Sequence, residues 1–305
     1  MLQVLLFAAI LITAGALWRQ FQPFGLAPET VRGALSAVVY NLLLPALVLV
    51  ALWRTPLSLD MVRISLLAVT DVLVGLGLSW TWCRLCRLDR KVTGALLLAS
   101  AFGNVTYLGL PVLEASLGPW ARAVAIQYDL FGCTPLLFTV GILVARRYGT
   151  DQSGAAPLGS LLRAPPLWAA VVAVALSASG VALPAWLGAV LNRLAAGVAP
   201  LMLLAVGLSL VFERGMARQL PSLVPVATIQ LVLMPLIIWM LAVALGVGGN
   251  LRVAVVLEAA MPSMVLGIVL CERYGLDTAR YAQAVTVTTI ASMLTLPAWL
   301  ALLRT

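Results

Sequence analysis

Apolar residues run along this chain in blocks of roughly 20, the length that carries an α-helix across a bilayer. The blocks are parted by short tracts that hold most of the charge. Taken as helices, they are expected near Leu2–Leu17, Val31–Trp53, Val62–Cys83, Val92–Ala115, Ala121–Ala145, Leu161–Leu183, Leu187–Phe212, Leu220–Val247, Leu251–Tyr274 and Tyr281–Leu303. The pattern therefore predicts ten spans and leaves no room for a soluble domain. In the first block, Ala14-Gly15-Ala16 resembles a cleavage site. No basic residue precedes the apolar run, however, and Arg19 follows it, so a retained span is expected.

One block cannot stay a regular helix. Ala99 to Val112, ASAFGNVTYLGLPV, holds Gly103, Gly109 and Pro111, and it brings the amide of Asn104 to membrane depth. A helix opened in hydrocarbon frees backbone N–H and C=O groups, which are tolerated only where protein or a water-filled cavity satisfies them. Interruptions of this kind mark binding sites in transporters.

Composition narrows the class. Of 305 residues 63% are apolar and 10% charged, against roughly 25% charged in soluble domains, and the mean hydropathy is +1.07. The chain reads as an all-α polytopic membrane protein whose chemistry takes place in or at the bilayer. A net charge of +8 would suit nucleic acid, but the 19 basic residues are scattered singly or in pairs over short loops. They read as topology signals and lipid contacts, so the expected partner is the lipid bilayer and not nucleic acid. Cys83 and Cys86 form a Cys-x-x-Cys without a second pair or a histidine, and both read as structural. No metal or other cofactor is called for.

Orientation follows from alternate loops. With the N-terminus outside, thirteen Lys and Arg residues fall in cytoplasmic loops and six in outer ones, so both termini are expected outside a cell (inner) membrane. The only tract resembling a linker, Arg146 to Arg163, lies at the midpoint and would be cytoplasmic. Five spans lie on each side. The expected division is 1–148, a linker 149–160, and 161–305, with the second half inverted because five is odd. An offset of 158 residues sets Gly109 on Gly267, Asn104 on Pro262 and Glu114 on Glu272, while an offset of 155 sets Pro45 on Pro200. Proline-interrupted spans at corresponding positions of two halves point to a midplane site.

The residues available for chemistry are few. Asn104 can donate to a carboxylate and accept from a hydroxyl, or it can simply join two helices by hydrogen bonding; its place in the break favours binding. Val105, Thr106, Gly109 and Pro111 extend that side of the site, and Pro262 and Ser263 form the other, with half-helix N-termini favouring an anion. Tyr40 and Asn41 precede Pro45 and either wall the same cavity or pack between helices. Asp71, Asp129 and Glu258 lie deep, where a charge costs about 2.5 to 3.5 kcal/mol on insertion scales. They are candidates for coupling to Na+ or H+, and with no histidine any proton relay must use them. For Asp71 and Asp129 a structural role, such as a bond to Tyr128, stays open. Glu114 and Glu272 read as interfacial anchors.

Taken together, AFGNVTYLGLPVL in the fourth span, AAMPSMVLGIVLCERYGLDTARYAQAVTVTTIASMLTLPAWL in the last two, and YNLLLPALVLV in the second resemble the auxin efflux carrier family, which includes the plant auxin exporters and many bacterial carriers. The resemblance spans the whole chain. It implies ten helices as a five-plus-five inverted repeat, like the bile acid and sodium/proton antiporter group, with scaffold and transport domains in elevator-like motion. Substrate would sit where the fourth and ninth helices cross, beside Asn104 and Pro262. Family substrates are carboxylates, namely auxin, malonate or malate. The chain lacks the long central loop of the plant members, which favours a bacterial-type carrier.

The expectation is thus a secondary transporter of a small organic anion, not an enzyme, with a homodimer left open as its assembly. The competing class is an intramembrane aspartyl enzyme using Asp71 and Asp129, but its Gly-x-Gly-Asp partner motif is absent from the sequence. A carrier of another substrate class coupled to sodium or protons, or a passive channel, also stays open.

Overall fold

A computed structural model describes residues 2–55, 58–150, 162, 164–212 and 216–304. The expected linker lies outside the described residues from 151 onward. The described chain is helical. The first helices are α1 (Leu2–Phe21), α2 (Pro28–Trp53), α3 (Leu59–Leu85), α4 (Arg90–Ala101), α5 (Val105–Leu117) and α6 (Ala121–Tyr148). They are followed by α7 (Pro165–Ala178), α8 (Ala185–Ser209), α9 (Gln219–Ala244), α10 (Gly249–Ala259), α11 (Gly267–Tyr274) and α12 (Thr278–Arg304). By length and composition six of these, α2, α3, α6, α8, α9 and α12, can cross a membrane, and most of α1 with α5 and α7 are shorter apolar helices. Phe7, Ile10, Leu59, Leu85, Trp186 and Leu294 point outward in the open. Such a surface suits hydrocarbon, and the fold is that of a multi-pass membrane protein.

The interruptions have identifiable causes. Of the five π-helical turns among the described residues, four, Val39–Leu43, Val105–Gly109, Asp129–Cys133 and Ile229–Leu233, each end two residues before a proline, Pro45, Pro111, Pro135 and Pro235, while Leu137–Gly141 begins two residues after Pro135 within α6. A proline ring clashes with the carbonyl four residues earlier and has no N–H to donate. Widening the preceding turn moves that carbonyl aside, so the helix continues past the proline. This corrects one expectation. Pro111 does not make the break in the fourth span; that break lies at residues 102–104, where Phe102 is extended (φ −110°, ψ 103°) and Asn104 is non-helical (φ −83°, ψ 55°). In the ninth span, by contrast, Pro262 sits within the break itself.

Two groups of helices emerge from the packing. In the first, α1 lies along the second half of α8, and the second half of α2 packs against α7 and the first half of α8. Gly15 and Gly207 permit this approach, since a Cβ on either would fall on the backbone of the opposite helix. The second group joins α3, α4, α5 and α6 to α9, α10, α11 and α12, with α3 against α4, α10 against α6, and α12 against α4 and α9. The groups meet where the start of α5 packs on α8 and the second half of α2 on α6.

Candidate functional site

The two interruptions satisfy each other. Gly103 and Ser263 form an antiparallel bridge; the Asn104 N–H donates to the Pro262 carbonyl at 2.7 Å, and the Met264 N–H donates to the Phe102 carbonyl at 2.9 Å. Backbone groups that would otherwise be stranded at membrane depth are paired in this way. The first turn of α5 starts beside the bridge, directly after Asn104, whereas in α11 the Ile268 and Val269 N–H groups already donate to the Val265 and Leu266 carbonyls at 3.2 and 3.1 Å.

A cavity of 380 Å³ opens against this junction. Tyr40 and Asn41 of α2 form one wall. Asn104, Val105 and Thr106 form the next, Asp129 with Thr134 of α6 another, and Met264 to Leu266 of the second break the last. Asn104 is 3% exposed. Its N–H serves Pro262, and its carbonyl accepts from Leu108 and Gly109 at 3.1 and 3.0 Å, but its side-chain Nδ2 has no partner among the described residues. A buried, unpaired amide donor costs about 1–3 kcal/mol, so this group is left with an unmet capacity to donate beside the cavity. Asn41 donates its amide to the Ala37 carbonyl of its own helix at 2.8 Å.

The deep carboxylates are held in three different ways. Asp129 accepts hydrogen bonds from the hydroxyls of Thr106, on α5, and of Thr134, at 2.8 Å on its own helix. Asp71 accepts from the Tyr128 hydroxyl at 2.9 Å and does not line the cavity. Glu258 is fully buried, and neither of its oxygens has a partner among the described residues. It faces Gly109, where a Cβ would overlap its carboxylate, so the glycine is what admits it. Glu114, nearer the end of α5, is ion-paired with Arg122.

Gly109, Pro111, Pro262 and Ser263 are not among the residues that line the cavity. Ser263 is turned into the protein instead. Its hydroxyl donates to the Ala99 carbonyl at 2.7 Å and lies 2.9 Å from the Gln230 amide, while its N–H donates to Thr288 at 3.1 Å. Tyr281 completes the brace by donating to the Met264 carbonyl at 2.8 Å. Gln230, Thr288 and Tyr281 are the residues that sequence reasoning missed. A signal was present in Gln230, an amide in the apolar run IQLVLMPLII, five residues before a proline.

A second, larger cavity of 610 Å³ lies at the other ends of α2 and α6 and is lined by Arg54, Asp60, Arg122, Gln127 and Asn192. Gln127 and Asp129, two residues apart on α6, therefore face different cavities.

The sequence matches the profile of the family described as membrane transport protein over two consecutive stretches, residues 3–157 and 157–300. It is 30% identical to an uncharacterized transporter of Methanothermobacter thermautotrophicus, over 90% of each chain. An uncharacterized transporter of Methanocaldococcus jannaschii is 24% identical, over 98% of this chain and 97% of its own. The uncharacterized transporter YfdV of Escherichia coli K12 is 22% identical, over 88% of this chain and 87% of its own.

Proposed function

Since the chain belongs to the membrane transport protein family, the auxin efflux carriers, along nearly its whole length, we propose that it is a secondary carrier of a small organic anion. A carboxylate such as malonate, malate or an auxin-like acid is held at the junction of the two breaks. The observation that carries this reading is the buried, unpartnered Nδ2 of Asn104 at the cavity wall. With the N-terminal turn of α5 beside it, the wall presents donors to an acceptor ligand. Tyr40 and Thr106 supply hydroxyls around the same space.

In this reading the fold is a five-plus-five inverted repeat, with halves 1–148 and 161–305. Helix bounds support it: under the 158-residue offset α4 (Arg90–Ala101) overlies α10 (Gly249–Ala259), α2 (Pro28–Trp53) overlies α8 (Ala185–Ser209), and α6 (Ala121–Tyr148) overlies α12 (Thr278–Arg304). The fourth and ninth spans, α4 with α5 and α10 with α11, are the crossing pair. The group of α1, α2, α7 and α8 acts as scaffold and the remaining helices as the moving body, in elevator-type alternating access. Cavities on either side of the junction suit that motion, and the excess of Lys and Arg in alternate loops supports an orientation with both termini outside a cell membrane.

Counterflow exchange in proteoliposomes, screened over mono- and dicarboxylates, tests the proposal. Exchange of a carboxylate by the native protein, lost in Asn104→Ala, is expected. Exchange undiminished in Asn104→Ala would overturn the assignment of the site.

A further inference from the structure

The Asp129–Thr106 pair places a carboxylate in the wall that an anion must approach. As a carboxylate, Asp129 accepts from Thr106 on one oxygen and from Thr134 on the other, so the single proton of Thr106 is spent on the wall and is unavailable to a ligand. A substrate carboxylate bound to Asn104, two residues from Thr106, would then lie beside a like charge in a poorly solvated cavity, an arrangement that two carboxylates sharing a site relieve by taking up one proton. We propose that Asp129 is the site of the coupling proton and that Thr106 is the switch through which that proton controls anion binding. This inference rests on the anion-carrier reading above.

The step balances simply. A proton from the aqueous phase binds the Asp129 carboxylate oxygen that faced Thr106, and the new O–H donates to the Thr106 Oγ. The hydroxyl of Thr106, relieved of Asp129, rotates its own proton into the cavity. Thr106 and the Asn104 Nδ2 then present two donors to the incoming carboxylate, and the cavity gains one negative charge and one positive together. Release of the anion reverses the order.

The titratable groups around Asp129 are known from each element packed on it. Tyr40 comes from α2, Tyr107 from α5 and Glu258 from α10, with Cys133 one turn away on α6 itself. Asp71 on α3 lies behind them, engaged by Tyr128, and Arg32 reaches Tyr107 from α2. Of the three deep acids only Asp129 lines the cavity. That separates its role from those of Asp71 and Glu258, which the ligand does not meet.

The test uses the full-length protein in proteoliposomes with radiolabelled malonate and malate as probes, at symmetric pH 5.5 and pH 7.5 and under an imposed pH gradient. The native protein is expected to bind the probe more tightly at low pH, by up to about tenfold per pH unit where one proton is coupled. It should also accumulate the probe down a proton gradient. In Asp129→Asn, whose amide N–H can donate to Thr106 as the protonated acid does, the binding that remains is independent of pH beyond the probe's own titration, and the gradient-driven accumulation is lost. Titration of the probe itself is common to both proteins and cancels in the comparison. Thr106→Val weakens binding several-fold and Thr106→Ser restores it, which separates the switch from any folding defect in the Asp129 variant. Gradient-driven accumulation surviving in Asp129→Asn, or Thr106→Val binding as the native protein does, would overturn the proposal while leaving the carrier reading intact. A native protein that exchanges no carboxylate under any condition would overturn both.

Discussion

The two broken spans reach the same junction by different chemistry. In the first, between α4 and α5, the break contains no proline, and its polar residues line the cavity: Asn104, whose amide donor is unpaired, and Thr106, which carries a hydroxyl. In the second, between α10 and α11, Pro262 opens the chain and the polar side chain turns away. Ser263 is spent on Ala99, Gln230 and Thr288, and the cavity receives the start of the chain after it, from Met264 to Leu266. The glycine five residues past each break repeats the contrast. A Cβ at Gly109 would meet the unpaired carboxylate of Glu258, whereas one at Gly267 would meet the hydroxyl of Tyr281, already committed to Met264. The junction is thus divided into one side that lines the cavity with polar side chains and, in the proposed carrier, meets the ligand, and another that holds the first in place.

That division can be broken by substitution, and the largest effect is expected at Asn104. Loss of a hydrogen bond to a charged ligand costs about 1.5–3 kcal/mol. Asn104→Ala should therefore reduce carboxylate exchange by about 10- to 100-fold while leaving the melting temperature of the purified protein nearly unchanged. Next comes Gly109→Ala, which drives a methyl into Glu258. Overpacking of this kind costs about 1–3 kcal/mol, and a thermal melt should show the loss, with Glu258→Ala restoring part of it in the double variant. A melt that Gly109→Ala leaves untouched would mean that the glycine is not what admits the acid.

On the other side of the junction, Ser263→Ala leaves Gln230 unmatched and should lower stability by about 1–3 kcal/mol, with exchange per folded molecule preserved. Equal loss of exchange in Ser263→Ala and Asn104→Ala would erase the distinction between the two breaks. The smallest effect belongs to Glu114→Gln. Its ion pair with Arg122 is partly exposed near a helix end, and such pairs contribute about 0–1 kcal/mol, so neither melt nor exchange should move measurably.

Much of this architecture was legible in the sequence because burial in a bilayer imposes a length on every apolar run. The block from Val62 to Cys83 became α3, and the one from Tyr281 to Leu303 became α12, each within a few residues. The fourth and ninth blocks were marked by Asn104, Gly109 and Pro262, and it is there that the helices part. Less legible was where within the block the chain opens. Pro111 looked like the breaker, yet a π turn absorbs it, and the opening at residues 102–104 depends on the hydrogen bonds offered by Pro262 and Met264, 158 or more residues away in sequence. Side-chain direction was hidden for the same reason. Ser263 and Asn104 both read as polar groups at a break, and only the pairing of the two extended segments decides that one faces the cavity and the other faces Ala99. The bond between Asp71 and Tyr128, by contrast, was one of two readings open from the sequence, and it is present at 2.9 Å.

The most direct test of the central claim is carboxylate counterflow at symmetric pH, measured side by side for Asn104→Ala and Ser263→Ala and normalised to folded, reconstituted protein. A fall of about tenfold or more is expected for Asn104→Ala, set by the lost hydrogen bond, and a rate close to native for Ser263→Ala. A native rate in Asn104→Ala together with a lost rate in Ser263→Ala would contradict that claim.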